Sequence, residues 1–280
     1  MASLIQILQT QLSQIDPSTS NAVRRIFLKE VLQAYVLGFL YNHKQYRQLN
    51  FYGGSCLRII FGLNRMSEDI DLDNSQSIDL STLSDDLKTY FRLNLGAKPS
   101  ASNQQSSENN IFRITLKFPI LYDLQISQHK DENLHLKIEV SQHRQVAIIQ
   151  QTPVILYGQS FVPGHFSIET LMAGKLLACL ERNFSVGSTG ADFKARDYYD
   201  VLWLMQKQIM PLSEKLSSDG KKPYSLSSAI NLLQQNIEKI KIEDLRRGLY
   251  PLFENREFIS AWCDSFFQNF SRFSQYYLEK

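Results

Sequence analysis

The chain has 280 residues, 43% hydrophobic and 21% charged, with 30 Lys and Arg against 28 Asp and Glu for a formal charge of +2. That near-balance excludes a protein that coats nucleic acid by bulk charge, although a local basic surface could still meet it. The length and apolar content suffice for one large domain or two modest ones with a core.

In chain order, the first strong pattern runs from Ser20 to Tyr41, where Val23, Ile26, Phe27, Val31, Leu32, Tyr35, Val36 and Phe39 recur at helical spacing. "DPSTSN" supplies start signals just before it. A short strand, "LNFY", then leads through Gly53-Gly54-Ser55 into one or two turns of helix from Cys56 to Phe61. After a Gly/Asn turn comes a strand carrying Asp69, Asp71 and Asp73. "LSTLSDDLKTYFRLN" predicts a helix, and the low-complexity run "SASNQQSSEN" reads as a mobile loop. "NIFRITLKFPI" and "NLHLKIEVSQ" alternate as strands around a hairpin region, "SQHKDEN", and should join the same sheet.

After Pro163-Gly164 the periodicity becomes helical, over 167–182, 194–208, 226–239 and 254–278, with loops at "NFSVGSTGAD" and "SEKLSSDGKKPYS". The expected architecture is α+β, a mixed α/β half over residues 1–160 followed by a helical half over 161–280. Cys56, Cys179 and Cys263 are odd in number and lack a CxxC spacing, which argues against a disulfide framework or structural zinc and fits a reducing cytoplasm. No segment reads as a signal peptide or membrane span, so the protein is expected to be cytoplasmic and free of membrane.

Alternation turns Asp69, Asp71 and Asp73 to one face and Ile70 and Leu72 to the other. Such a row is either a solvated edge or a metal site. Carboxylates two residues apart on a strand sit roughly 6–7 Å apart along one face. Their oxygens can converge on two divalent cations about 3.5–4 Å from each other, the arrangement that serves phosphoryl and nucleotidyl transfer. Glu139, in "LKIEVS", is the best third carboxylate, with a solvent-facing polar position as the alternative. Upstream, a glycine pair and Ser at a helix start offer unhindered N–H groups and a positive helix end, where a triphosphate can sit. "AGKLL" is not a phosphate-binding P-loop and no GxGxxG occurs, so those nucleotide folds are excluded.

These residues resemble the nucleotidyltransferases of the DNA polymerase β type, and within them the AbiEii/AbiGii toxin group. The superfamily pattern, Gly-Ser and then Asp-h-Asp with h apolar, matches Gly54-Ser55 and Asp69-Ile70-Asp71. The group's Arg-h-Ser-x-Asp-h-Asp matches Arg65-Met66-Ser67-Glu68-Asp69-Ile70-Asp71. Its helical lysine and its Arg-Asp-h-h-Asp-h helix look like Lys175 and Arg196-Asp197-Tyr198-Tyr199-Asp200-Val201.

The resemblance implies a polymerase-β-like sheet with flanking helices, the helical half packing on the active site. Mg2+ (or Mn2+) would be held by Asp69, Asp71 and Glu139, and an NTP by Gly53, Gly54, Ser55, Arg65, Ser67, Lys175 and Arg196. Catalysis would rest on the three carboxylates with Lys175 and Asp200. It further implies a toxin of a toxin–antitoxin or abortive-infection (phage defence) pair, with a tRNA 3′ end as acceptor and a neighbouring transcriptional-regulator antitoxin as partner. Asp73, lying beyond the pair, is expected to be a flanking or hydrogen-bonding carboxylate.

The residues alone leave alternatives at the later positions. Lys175 stands near the centre of the stripe Ile168, Leu171, Met172, Leu176, Cys179, so its ammonium either snorkels or meets an anion. Arg196 and Asp200, at i and i+4 on a helix apolar almost all round, either pair with each other and pin the helical half against the sheet, or Asp200 helps to place Lys175 or the nucleotide. "FKAR" and "KIEKIKIEDLRR" read as solvated helix faces that could hold an RNA backbone. Two other functions stay open: a transferase that modifies a protein or small molecule, and a catalytically silent nucleotide-binding protein.

Overall fold

A computed structural model describes residues 2–106, 110–181 and 194–280. Its contacts divide the chain into a unit of residues 1–144 and 149–165 and a second of 145–148 and 166–280.

The first unit opens with α1 (Leu4–Leu12), capped by Ser3 and Gln6, a helix that the sequence reading passed over. Then comes α2 (Asn21–Asn42), capped by Ser20. Leu28, Val31, Leu32, Ala34, Val36, Leu37 and Leu40 of α2 are all 0% exposed. A helix apolar on so much of its circumference has to be covered on most sides, and α2 is the central helix of this unit.

Strands β1 (Asn50–Tyr52) and β2 (Ile70–Asp73) flank α3 (Gly53–Phe61), and α4 (Leu83–Leu95) follows. Next come β3 (Ser100–Ser106), β4 (Ile111–Phe118) and β5 (Leu134–Ser141). The short strands β6 (Ile149–Gln151), β7 (Val154–Leu156), β8 (Gln159–Phe161) and β9 (Gly164–Phe166) complete the unit. Among the described residues the main sheet runs β3-β4-β5-β2-β1-β9-β6, and β7 and β8 form a separate hairpin. The β4–β5 pair is antiparallel, as its alternation predicts, and β5 runs parallel to β2.

The expected loop at "SASNQQSSEN" is a correction: Ser100–Ser106 is the edge strand β3, paired in register with β4 from Ser100↔Lys117 to Ser106↔Ile111. A strong neighbour supplies the whole ladder, so polar residues of poor strand propensity still extend. The rest of that run, residues 107–109, lies outside the described residues.

The second unit holds α5 (Ile168–Glu181), α6 (Ala195–Gln206), α7 (Ser213–Ser218), α8 (Leu226–Ile237), α9 (Ile242–Leu249) and α10 (Arg256–Leu278). Helices α5, α6, α8 and α10 match the periodicity. Within "SEKLSSDGKKPYS", expected as a loop, α7 forms instead. The expected loop "NFSVGSTGAD" lies outside the described residues.

Helix α7 carries Lys215, 4% exposed, whose ammonium reaches Asp219 Oδ2 at 2.6 Å and the Val146 carbonyl at 3.3 Å. The Val146 amide in turn donates to Asp219 Oδ2 at 3.0 Å. Residues 145–148 are thereby strapped to the helices by a charge pair whose lysine is buried and whose carboxylate is partly so.

Candidate active site

The glycine turn owes its composition to two side chains that press on it. Gly53 has φ +80°, and a Cβ there would stand 2.0 Å from Asp71 Oδ2. At Gly54 a Cβ would meet Arg65 Nη2 at 2.7 Å and Ser67 Oγ at 3.2 Å. The first glycine is therefore required by backbone conformation and by the carboxylate lying against it, the second by a guanidinium. Helix α3 begins at Gly53 itself, so the turn is the positive end of that helix. Ser55 is 0% exposed, and among the described residues its Oγ has no hydrogen-bond partner. The charge of Asp71 also reaches Cys56, whose thiol is pushed well up by burial first and by that carboxylate second. Replacing Gly53 by Ala should lower nucleotidyl transfer by about 10²-fold through displacement of Asp71. Single-turnover rates measured beside a thermal melt would check this.

Asp69 and Asp71 are half-buried, whereas Asp73 is 2% exposed. Asp73 Oδ2 accepts from Asn50 Nδ2 at 3.2 Å and from the Ser75 amide at 3.3 Å, which fastens β2 to β1. Asp73 thus makes the hydrogen bonds of a flanking carboxylate.

Neighbouring Asp71 on β5 is Glu139, its register partner, and beyond Glu139 stands Arg113 of β4. Arg113 holds Glu139 Oε1 from both Nε and Nη2, each at 2.7 Å. Arg113 escaped the sequence reading because only the strand register places it next to the carboxylates. Among the described residues no three His, Cys, Asp or Glu side chains gather closely enough to hold a metal ion. In donor chemistry Asp69 and Asp71, beside a helix start, fit a hard divalent cation. Arg113 holds Glu139 by that one oxygen, so Glu139 would join them with Oε1 already engaged.

The loop before Asp69 is held by groups that the sequence reading missed. Gln33 of α2, 0% exposed, donates from Nε2 to the Ser67 carbonyl at 2.9 Å, and Lys29 pairs with Glu68 at 3.0 Å. Buried Glu30 accepts from Arg58 Nε at 3.1 Å, and Arg58 Nη1 donates to the Leu63 carbonyl at 3.1 Å. Arg65 and Ser67, 1% and 5% exposed, sit on the inner side of this loop, and Arg65 Nη1 donates to the Met66 carbonyl at 2.9 Å. Rigid support of this kind is what a site requiring sub-ångström placement needs.

In the helical unit Lys175 meets two carboxylates, Asp197 Oδ1 at 2.9 Å and Asp200 Oδ2 at 2.8 Å. The side chains are 12%, 5% and 0% exposed. Lys175 thus meets two carboxylates. Arg196 lies half-buried in the first turn of α6.

A family profile described as nucleotidyl transferase AbiEii toxin, type IV TA system, matches residues 38–274. No curated protein matches the chain. Among solved structures the chain is similar to MenT4, a nucleotidyltransferase toxin from Mycobacterium tuberculosis, with a TM-score of 0.53 and 12% identity, covering 98% of this chain and 92% of that one. It is also similar to JHP933 from Helicobacter pylori, with a TM-score of 0.50 and 15% identity over 91% of this chain and 92% of that one. At such identities the likeness establishes the fold, a nucleotidyltransferase sheet with flanking helices. Among the described residues no helix is long and apolar enough to cross a membrane.

Proposed function

The chain belongs to the AbiEii nucleotidyltransferase toxin family, and from that premise we propose that it transfers a nucleotide from an NTP to the 3′ end of an RNA, with tRNA as acceptor, in the cytoplasm. A type IV toxin–antitoxin family implies a cognate antitoxin. We place that antitoxin next to the toxin gene as a transcriptional regulator, and the pair in abortive infection of phage-struck cells.

The observation that carries the reading is the junction of Asp71 with the glycine turn. One carboxylate lies against Gly53 at the positive start of α3, with Ser55 Oγ, two residues on, unsatisfied among the described residues. In the proposed mechanism the Gly53–Ser55 turn binds the triphosphate through its amides and helix end, so that phosphate charge is met before chemistry begins. Asp69 and Asp71 would hold Mg2+ or Mn2+, which when bound supplies neutralisation of charge on the reacting phosphates. Glu139, steadied by Arg113 at Oε1, would take the proton of the acceptor hydroxyl. Arg65 and Ser67 keep the turn in place from the inner side of the loop, and Arg58, Gln33 and Lys29 brace that loop. Lys175, oriented by Asp197 and Asp200, is assigned to phosphate charge by family resemblance, as is Arg196 to the nucleotide.

Incubation of the protein with each labelled NTP and divalent metal, offering tRNA, total RNA and protein separately, tests the acceptor. Label at tRNA 3′ ends is the expected result. Label confined to protein or to a small molecule would sink the RNA reading.

A further inference from the structure

The sheet has one polar face, and its charges are not balanced along its length. The rung through Asp71 runs Arg113, Glu139, Asp71 across β4, β5 and β2. Two residues along the strands the rung is Ser102, Thr115, Lys137, and two further along it is Ser100, Lys117, His135. The opposite face of the same strands carries Ile114, Leu116 and Ile138, each 0% exposed, so alternation leaves the polar face to solvent. On that face Glu139 is answered by Arg113. Among the described residues neither Lys117 nor Lys137 has an ion-pair partner. Lys137 and His135 are exposed and Lys117 half-buried.

His135 reports how close these charges stand. Burial first, and then the ammonium groups of Lys117, Lys29 and Lys137, hold its imidazole below the usual range. Like charges on neighbouring strand positions are unfavourable in the free protein and are relieved by a bound polyanion. The rungs repeat at about 6.6 Å along each strand, of the order of the separation between successive phosphates in an extended polynucleotide. At the sheet edge, Ser100, Ser102 and Gln104 of β3 add uncharged groups able to bond ribose hydroxyls.

We propose that this face seats the single-stranded end of the RNA acceptor, with phosphates on Lys117 and Lys137 and the chain directed along β4 and β5 toward the Arg113–Glu139–Asp71 rung. The proposal rests on the RNA-acceptor reading and names the surface that serves it. It sets the sheet against the helix faces in "FKAR" and "KIEKIKIEDLRR" as the place where the backbone lies.

The test is fluorescence anisotropy of a fluorescein-labelled single-stranded oligoribonucleotide, without NTP, over a salt series. It compares the whole chain with Lys117→Glu/Lys137→Glu and with the milder Lys117→Gln/Lys137→Gln. Both variants should bind at least about tenfold more weakly, with the slope of log affinity against log salt reduced by about 1.4 for two lost single-strand phosphate contacts. Unchanged affinity and slope in the Gln variant, with its melting temperature intact, would overturn the proposal. RNA bound through Lys117 and Lys137 by an enzyme that labels no RNA would overturn the acceptor reading and leave the surface standing. RNA labelled normally while both variants bind like the wild type would overturn the surface alone.

Discussion

Asp71→Ala is expected to lower nucleotidyl transfer by at least roughly 10³-fold, equivalent to about 4 kcal/mol of lost transition-state stabilisation, while the protein melts within a few degrees of the wild type. Asp69→Ala should behave alike. The carboxylate of Asp71 is half-buried and occupies the space that a Cβ at Gly53 would fill. The chemistry loses the charge that faces the glycine turn. Asp73→Ala is the contrasting control. That side chain is 2% exposed and fastens Asn50 and the Ser75 amide, so its loss should appear mainly in stability, by about 1–3 kcal/mol. Initial rates with labelled NTP, taken beside thermal melts of all three variants, check the division. Full activity in Asp71→Ala would remove the metal-binding reading.

The second large effect is on stability. Lys175→Met leaves Asp197 and Asp200, 5% and 0% exposed, facing each other without the ammonium that separates them. Breaking a buried pair by deleting one partner typically costs about 3–5 kcal/mol, because the remaining charge is uncompensated. Urea denaturation should show a loss of that size, with the midpoint shifted and the slope unchanged. Adding Asp197→Asn and Asp200→Asn to Lys175→Met should recover much of the loss, since the group is then neutral. If Lys175 also steadies phosphate charge, the triple variant stays inactive although it folds. Recovery of activity along with stability would make the lysine purely architectural.

Helices α2, α5, α6, α8 and α10 were legible because each keeps a long apolar period. Helix α9 was read only as a solvated helix face, because "KIEDLRR" sets five charged side chains around Ile242 and Leu245, and its buried anchors are Leu245 and Leu249. Strand β3 was hidden for the opposite reason: Ser, Asn and Gln show no strand preference, and the strand exists because β4 offers an open ladder. At the site, the glycines and Asp71 could be recognised from order and spacing. What spacing could not reveal was side and register. It gave no sign that Arg65 presses against Gly54 at 1% exposure, that Arg113 stands beside Glu139, or that buried Gln33 holds the carbonyl of Ser67. Those contacts join residues 11 to 34 positions apart or lie across strands, and no periodicity within one segment carries that information.

The strap at residues 145–148 makes the order of synthesis matter. It leaves the ribosome well before Lys215 and Asp219, the pair that clasps it, and strands β6 to β9 follow it immediately. A nascent chain halted between α5 and α7 holds the Ile148 end of the strap through Ser167 and Thr170 but lacks the Lys215–Asp219 clasp on Val146. A gene cut at residue 165 would remove both fastenings permanently, and the complementary half would lack four residues of its own unit. The two units are therefore not interchangeable modules joined end to end, and evolutionary exchange of one for a homologue's must carry its share of the strap and clasp together.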